Sequence, residues 1–186
     1  MGPRGGTGTL RATPGLRIRR YRPADAPRVG RLIATTIGDC NLAHLDEADR
    51  DAMLGPFAHA DSDHREHRRA IADAIDLEVV LVAEREGEVI GVLRGRRGRL
   101  ASLFVAAEQH RRGIGSALVA RFEERVAEQG GGSVKVSSTL FGVPFYRAAG
   151  YRKTTGIRRM RSFGGDGLRY QPMKKDVAPT PGRSAR

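Results

Sequence analysis

Seven consecutive residues carry the types and spacing that could do chemistry: His110, Arg111, Arg112, Gly113, Ile114, Gly115 and Ser116. A short apolar, β-prone run (Leu103, Phe104, Val105) leads into them. A long amphipathic pattern follows, with Ile114, Leu118, Val119, Phe122 and Val126 on one helical face. A strand, a turn of bare backbone N–H groups and a helix N-terminus together form an anion cradle. The amides point at the anion and the helix dipole favours negative charge. Glycines matter there because a side chain would hold a phosphate away from the amides. The stretch reads as a pyrophosphate site.

Three kinds of cradle compete for that reading. A P-loop needs four residues between its glycines and then Gly-Lys-Ser/Thr, which the chain lacks here. A dinucleotide fingerprint needs Gly-x-Gly-x-x-Gly/Ala after the first strand of a βαβ unit. Leu118 stands where its third glycine would be, and the turn lies in mid-chain. The third kind fits: the turn resembles the Arg/Gln-x-x-Gly-x-Gly/Ala motif of the GNAT superfamily of N-acetyltransferases. His110 takes the Arg/Gln place, a mild departure where the position acts through its backbone N–H. Gly113 and Gly115 are the two small residues.

A second stretch strengthens the resemblance. Pro144-Phe145-Tyr146-Arg147-Ala148-Ala149-Gly150-Tyr151 is similar to the superfamily's Phe-Tyr-x-x-x-Gly-Phe/Tyr signature, and the close of the chain near Leu168–Lys174 resembles its last strand. The resemblance spans roughly residues 16–175. It implies an enzyme, an acetyl-CoA-dependent N-acetyltransferase that moves an acetyl group to a primary amine by direct attack in a ternary complex. It implies acetyl-CoA as cosubstrate and no metal. The pyrophosphate would rest on residues 110–116. Pantetheine would pair with unpaired backbone on Leu103, Phe104 and Val105, like an added strand. A backbone N–H near Phe104 or Val105 would serve the oxyanion. Tyr146 would protonate the departing thiolate; an ordinary phenol pKa of ~10 suits that role. Thr139, seven residues before Tyr146, stands where relatives often carry Asn, and its hydroxyl could bond pantetheine or a water.

The base for the amine is not identified: Glu84 lies on a strand of unknown direction, and Glu108 reads as a solvated loop acid. Cys40 lies outside the motifs, so no acyl-cysteine intermediate is expected. The acceptor stays open among small amines, aminoglycosides, protein N-termini and lysines, and a homodimer stays open too. The alternative of another class is a non-catalytic acyl-CoA-sensing or RNA-associated binding module on the same fold.

Composition sets the frame. The chain has 186 residues, a formal net charge of +12 and a single cysteine. One cysteine excludes an internal disulfide framework and suits a reducing compartment. No stretch approaches the ~20 apolar residues of a membrane span, and the first residues show no apolar signal region, so a cytoplasmic protein without a membrane partner is expected. The charge sits at the ends: residues 1–22 hold six arginines and no acid, and residues 158–186 hold eight Arg or Lys against Asp166 and Asp176. Neither end interleaves aromatics with its cations in the stacking pattern that RNA modules use, so nucleic acid is not an expected partner. His64 and His67 with Asp61 and Asp63 could mimic a metal site. No third ligand has suitable spacing, and a charged helix face explains the run as well.

The elements that must position the cradle follow from periodicity. Residues 1–15 and 176–186 read as disordered basic tails around one domain, 16–175. A strand over 16–21 precedes a helix begun at Pro23-Ala24-Asp25, with Val29, Leu32, Ile33 and Ile37 on one face. Residues 39–61 give no clear pattern. A helix over 62–75 turns Ala70, Ile71, Ala74 and Ile75 inward. Strands at 79–85 and 88–94 form a hairpin at Glu86-Gly87, and a third strand covers 100–105. The cofactor helix ends at Gly130-Gly131-Gly132. A strand at 134–138, a short helix at 144–149 and strands near 153–160 and 168–174 complete the chain. The expected fold is the α/β (α+β) GNAT fold: a mixed, largely antiparallel sheet of about six to seven strands, flanked by helices, with one splayed parallel pair.

Overall fold

The computed structural model describes residues 15–41, 51, 54–159 and 169–178. The expected tails lie outside these residues, apart from Gly15 and residues 176–178, and so does about half of the unpatterned 39–61 stretch. Eight strands form one sheet: β1 (Arg17–Arg20), β2 (Val79–Arg85), β3 (Glu88–Arg96), β4 (Arg99–Val105), β5 (Ser133–Thr139), β6 (Arg152–Lys153), β7 (Arg158–Arg159) and β8 (Arg169–Asp176). Among the described residues four helices flank it: α1 (Ala26–Asn41), α2 (Arg65–Ile75), α3 (Ile114–Glu128) and α4 (Val143–Ala148). The order across the sheet is β1-β2-β3-β4-β5-β8-β6, with β7 also on β8. The single strand expected near 153–160 is two two-residue pieces, β6 and β7. The last strand reaches Asp176, and the N–H of Val177 still donates to Gly132 O at 3.0 Å.

Both faces of the sheet are covered, which is why β2 reads as an unbroken apolar run rather than an alternating one. Leu81 and Ala83 face α3 with Leu93, Leu100, Leu118, Phe122 and Met173. Val80 and Val82 face α1 and α2 with Val29, Ile33, Ile71, Ile75 and Val92. In α2, Ile71 and Ile75 are buried as expected, but Ala70 is exposed, and the helix begins at Arg65 rather than at residue 62. Two glycines in β3 let α3 sit close to the sheet. A Cβ on Gly95 would fall 2.7 Å from the Phe122 ring, and one on Gly91 would fall 3.1 Å from Leu118. Phe122 and Leu118 are wholly buried, worth about 1.5–3 kcal/mol each.

The feature that opens the site is a β-bulge. Arg94 pairs with Ser102 but Gly95 pairs with Leu100, which leaves Ala101 as the extra residue on β4. A bulge bends its strand and increases the local twist. Before it, Arg99 and Leu100 pair in parallel with Lys135 and Val136; beyond it, β4 and β5 share no further pair. The two strands part there, as the resemblance implied, and α3 crosses from one to the other.

Candidate functional site

The parted strands, the turn after β4 and the start of α3 meet at one place. Ala106 N–H donates to Ile90 O at 3.0 Å, in the same register that sets Phe104 opposite Val92 and Val105 opposite Gly91. Backbone groups of successive strand residues point to opposite sides. Phe104 therefore spends its N–H and C=O on β3, while Leu103 and Val105 aim theirs into the gap toward β5. This narrows the expectation of three unpaired residues to two, and it removes the Phe104 amide as an oxyanion donor. The Phe104 side chain packs with the α1 and α2 core, and Leu103 and Val105 pack on the α3 side.

The turn itself is shaped by two left-handed residues. Arg111 has φ +59° and Gly113 has φ +78°. Gly113 is the N-cap of α3, where that φ favours glycine. The first i to i−4 bond of α3 runs from Ala117 N–H to Gly113 O at 2.9 Å. The amides of Ile114, Gly115 and Ser116 thus have no partner within the helix, and they form the positive end of its dipole. Gly115 has a further reason to be small: a Cβ there would meet the Phe145 ring at 3.3 Å. That glycine lets α4 pack against the start of α3.

His110 departs from the expectation placed on it. Its backbone N–H donates to Ala107 O at 3.1 Å, closing a 3-10 turn over Ala107–Gln109. Its ring Nε2 lies 2.9 Å from Val105 O, so Nε2–H donates to the open strand end. The ring, not the amide, is what this histidine contributes. No sequence pattern signalled that contact. Arg111 and Arg112 are exposed beside it.

Tyr146 sits on α4, 6% exposed, with edge-on rings of Phe145 at 5.0 Å and Tyr151 at 5.4 Å. Burial pushes its phenol above the ordinary value, so it is held protonated. Tyr151 is raised too, by burial and then by nearby Glu123, whose carboxylate pairs with Lys175 at 2.6 Å. The N–H of Gly142 donates to Thr139 O at 3.0 Å and Thr139 Oγ1 at 3.3 Å, so this hydroxyl shapes the start of α4 and keeps its own proton free to donate.

Glu84 is not a free base. Arg19 Nε donates to its Oε2 at 2.7 Å and also grips Asp25 through two bonds of 2.6 and 2.9 Å. Glu108 is exposed, and Cys40 lies in the last turns of α1. His59 stacks on His67 at 4.1 Å, and His67 Nδ1 bonds Ser62 Oγ at 2.7 Å. Among the described residues no group of three or more His, Cys, Asp or Glu is arranged to hold a metal, and no helix is long and apolar enough to cross a membrane. A groove of about 670 Å³ beside α1 and α2 shares no residue with the cradle.

Known proteins share this architecture. Residues 52–177 match the family described as acetyltransferase (GNAT) domain. No curated protein matches the chain. A Rhodopseudomonas palustris protein described as a GCN5-related N-acetyltransferase superposes with TM-score 0.71 at 19% identity, covering 89% of this chain and 98% of that one. The PaiA N-acetyltransferase of Thermoplasma acidophilum, solved with coenzyme A, gives TM-score 0.60 at 16% identity, covering 87% and 99%. The Ard1 protein of Thermoplasma volcanium gives 0.60 at 21%, covering 88% and 98%. These identities speak for the fold alone.

Proposed function

The chain belongs to the GNAT acetyltransferase family, and from that membership we propose that it moves an acetyl group from acetyl-CoA to a primary amine by direct attack in a ternary complex. The observation that carries the reading is the gap between β4 and β5, open beside an uncapped helix N-terminus and the buried Tyr146. Acetyl-CoA supplies an activated acyl thioester. The amides of Ile114, Gly115 and Ser116, with Gly113 bare beneath them, hold its pyrophosphate, and Arg111 and Arg112 add positive charge at the rim. Leu103 offers its open N–H and C=O to pantetheine amides, while the Val105 C=O is already taken by the His110 ring. The Val105 N–H is the donor placed for the carbonyl oxygen as charge develops on it. Tyr146, held protonated by burial, gives its phenolic proton to the thiolate as it leaves and takes one back from the nitrogen that has gained the acetyl group, so no buried phenolate is left. Coenzyme A bound to the Thermoplasma acidophilum relative supports the choice of cosubstrate.

Thermal melting tests the reading. Ligand at ~100 times its dissociation constant adds about 2.7 kcal/mol. For a domain of this size that raises the melting temperature by roughly 5–11 °C. Wild type should show the rise with acetyl-CoA, and Gly113→Glu should not, since its carboxylate would occupy the cradle. No rise in wild type overturns the proposal.

A further inference from the structure

The fold gathers unbalanced charge on one side of the sheet. Residues 15–128, which build everything up to the end of α3, hold nineteen Lys or Arg and nineteen Asp or Glu. Residues 129–176, which build β5 to β8, hold ten Lys or Arg and two acids, Asp166 and Asp176. The tails are therefore not the main source of the excess. The register then places it: Thr139 faces Tyr170 across β5 and β8, and Tyr170 faces Arg158 on its other side. The next rung sets Arg159 opposite Arg169, both exposed. Like charges directly opposite one another destabilise a sheet. Among the described residues, none of these three arginines is in an ion pair.

The same rim carries the exposed apolar groups. Phe141 is 80% exposed and Ile157 48% exposed. Phe141 follows Thr139 by two residues, past the end of β5 on the side of the arginine rung, while Ile157 precedes Arg158 on the inner side of that rung. Three strands at about 4.8 Å spacing put the whole rim within roughly 10–15 Å. Edge charges alone would keep sheets from pairing. They do not explain why the acids are missing and an aromatic ring stands bare beside them. Guanidinium forks match phosphates, and a bare ring offers a stacking face to a base.

We propose that the rim of Arg158, Arg159, Arg169, Tyr170 and Phe141 binds single-stranded nucleic acid, beside the gap where the amine is acetylated. This departs from the expectation that nucleic acid is no partner, which rested on the absence of a stacking pattern at the ends; the fold brings Phe141 to the same rim as Tyr170.

Fluorescence anisotropy with a labelled 12-nucleotide oligouridine RNA tests it, on the full chain with both tails present. Wild type should bind with an affinity that falls steeply with salt. Arg158→Ser/Arg159→Ser should weaken binding at least tenfold and reduce the salt slope by about two contacts. Phe141→Ser should weaken it about tenfold with the slope unchanged. Both variants should keep the acetyl-CoA melting shift, which shows that they are folded and separates this proposal from the catalytic one. No binding by wild type, or binding unchanged in both variants, overturns the proposal. Poly-L-glutamate that binds the same rim more tightly than the RNA would overturn it as well, by assigning the rim to an acidic protein.

Discussion

The sheet has two halves that meet at only two residue pairs, Arg99 with Lys135 and Leu100 with Val136. The β1–β4 half is a continuous antiparallel run in which Arg19 lies between Asp25 and Glu84 with 11% of its side chain exposed, and Arg94 is held by Ser102 Oγ and Ala74 O. The β5–β8 half leaves most of its cations facing solvent. One half is built to hold itself together, and the other holds charge in reserve. The gap between them is where backbone groups go unpaired, and an open ladder next to a helix N-terminus makes a binding site without dedicated side chains.

Removing a partner from the matched half should have the largest effect. Arg19→Ala leaves the Asp25 carboxylate buried without its guanidinium, and loss of such a partner costs about 3–5 kcal/mol. Urea unfolding should show this at pH 7 and far less of it in acid. The Asp25 carboxyl is held below the ordinary carboxylate range, first by Arg19 and then by the N–H of Arg22. A depressed folded-state value stabilises the protein above the unfolded pKa of ~3.9, and that stability fades as pH falls through the folded value. A variant as stable as wild type at pH 7 would break the contrast between the halves.

Across the gap, Tyr146→Phe should lower kcat about 100-fold while the acetyl-CoA melting shift persists. Because burial raises the phenol, wild-type activity should not fall on the alkaline side until the pH passes the ordinary tyrosine value. Unchanged turnover in the variant would take Tyr146 out of the mechanism.

The joint itself can be strained. Gly95→Ala puts a Cβ 2.8 Å from Arg99 O, beside the bulge. It should destabilise by about 1–3 kcal/mol, read by denaturant melting. Smallest is Thr139→Ala, which removes one partly shared hydrogen bond at the start of α4 and should cost about 1 kcal/mol or less.

What could be read beforehand was what is local. The strand, glycine turn and helix of residues 103–128 announce themselves in consecutive residues, and so does the Phe145-Tyr146 signature. The bulge at Ala101 was not legible, because it exists only in the pairing of β3 with β4. The second reason for Gly115 is a phenyl ring thirty residues away. Whether Glu84 could serve as a base stayed open in the sequence because its partner, Arg19, is 65 residues distant. The charge imbalance was present in the composition, but it was assigned to the tails until the register put three arginines on adjacent rungs.

The central claim is that β4 offers Leu103 and Val105, and not Phe104, to acetyl-CoA. Amide hydrogen exchange resolved to single residues tests it directly. Without ligand, the Val105 N–H should exchange fast and the Phe104 N–H slowly, since only Phe104 is paired to β3. Saturating acetyl-CoA should slow Val105 and leave Phe104 as it was. Protection of Val105 before ligand is added, or no change when it is, would contradict the account.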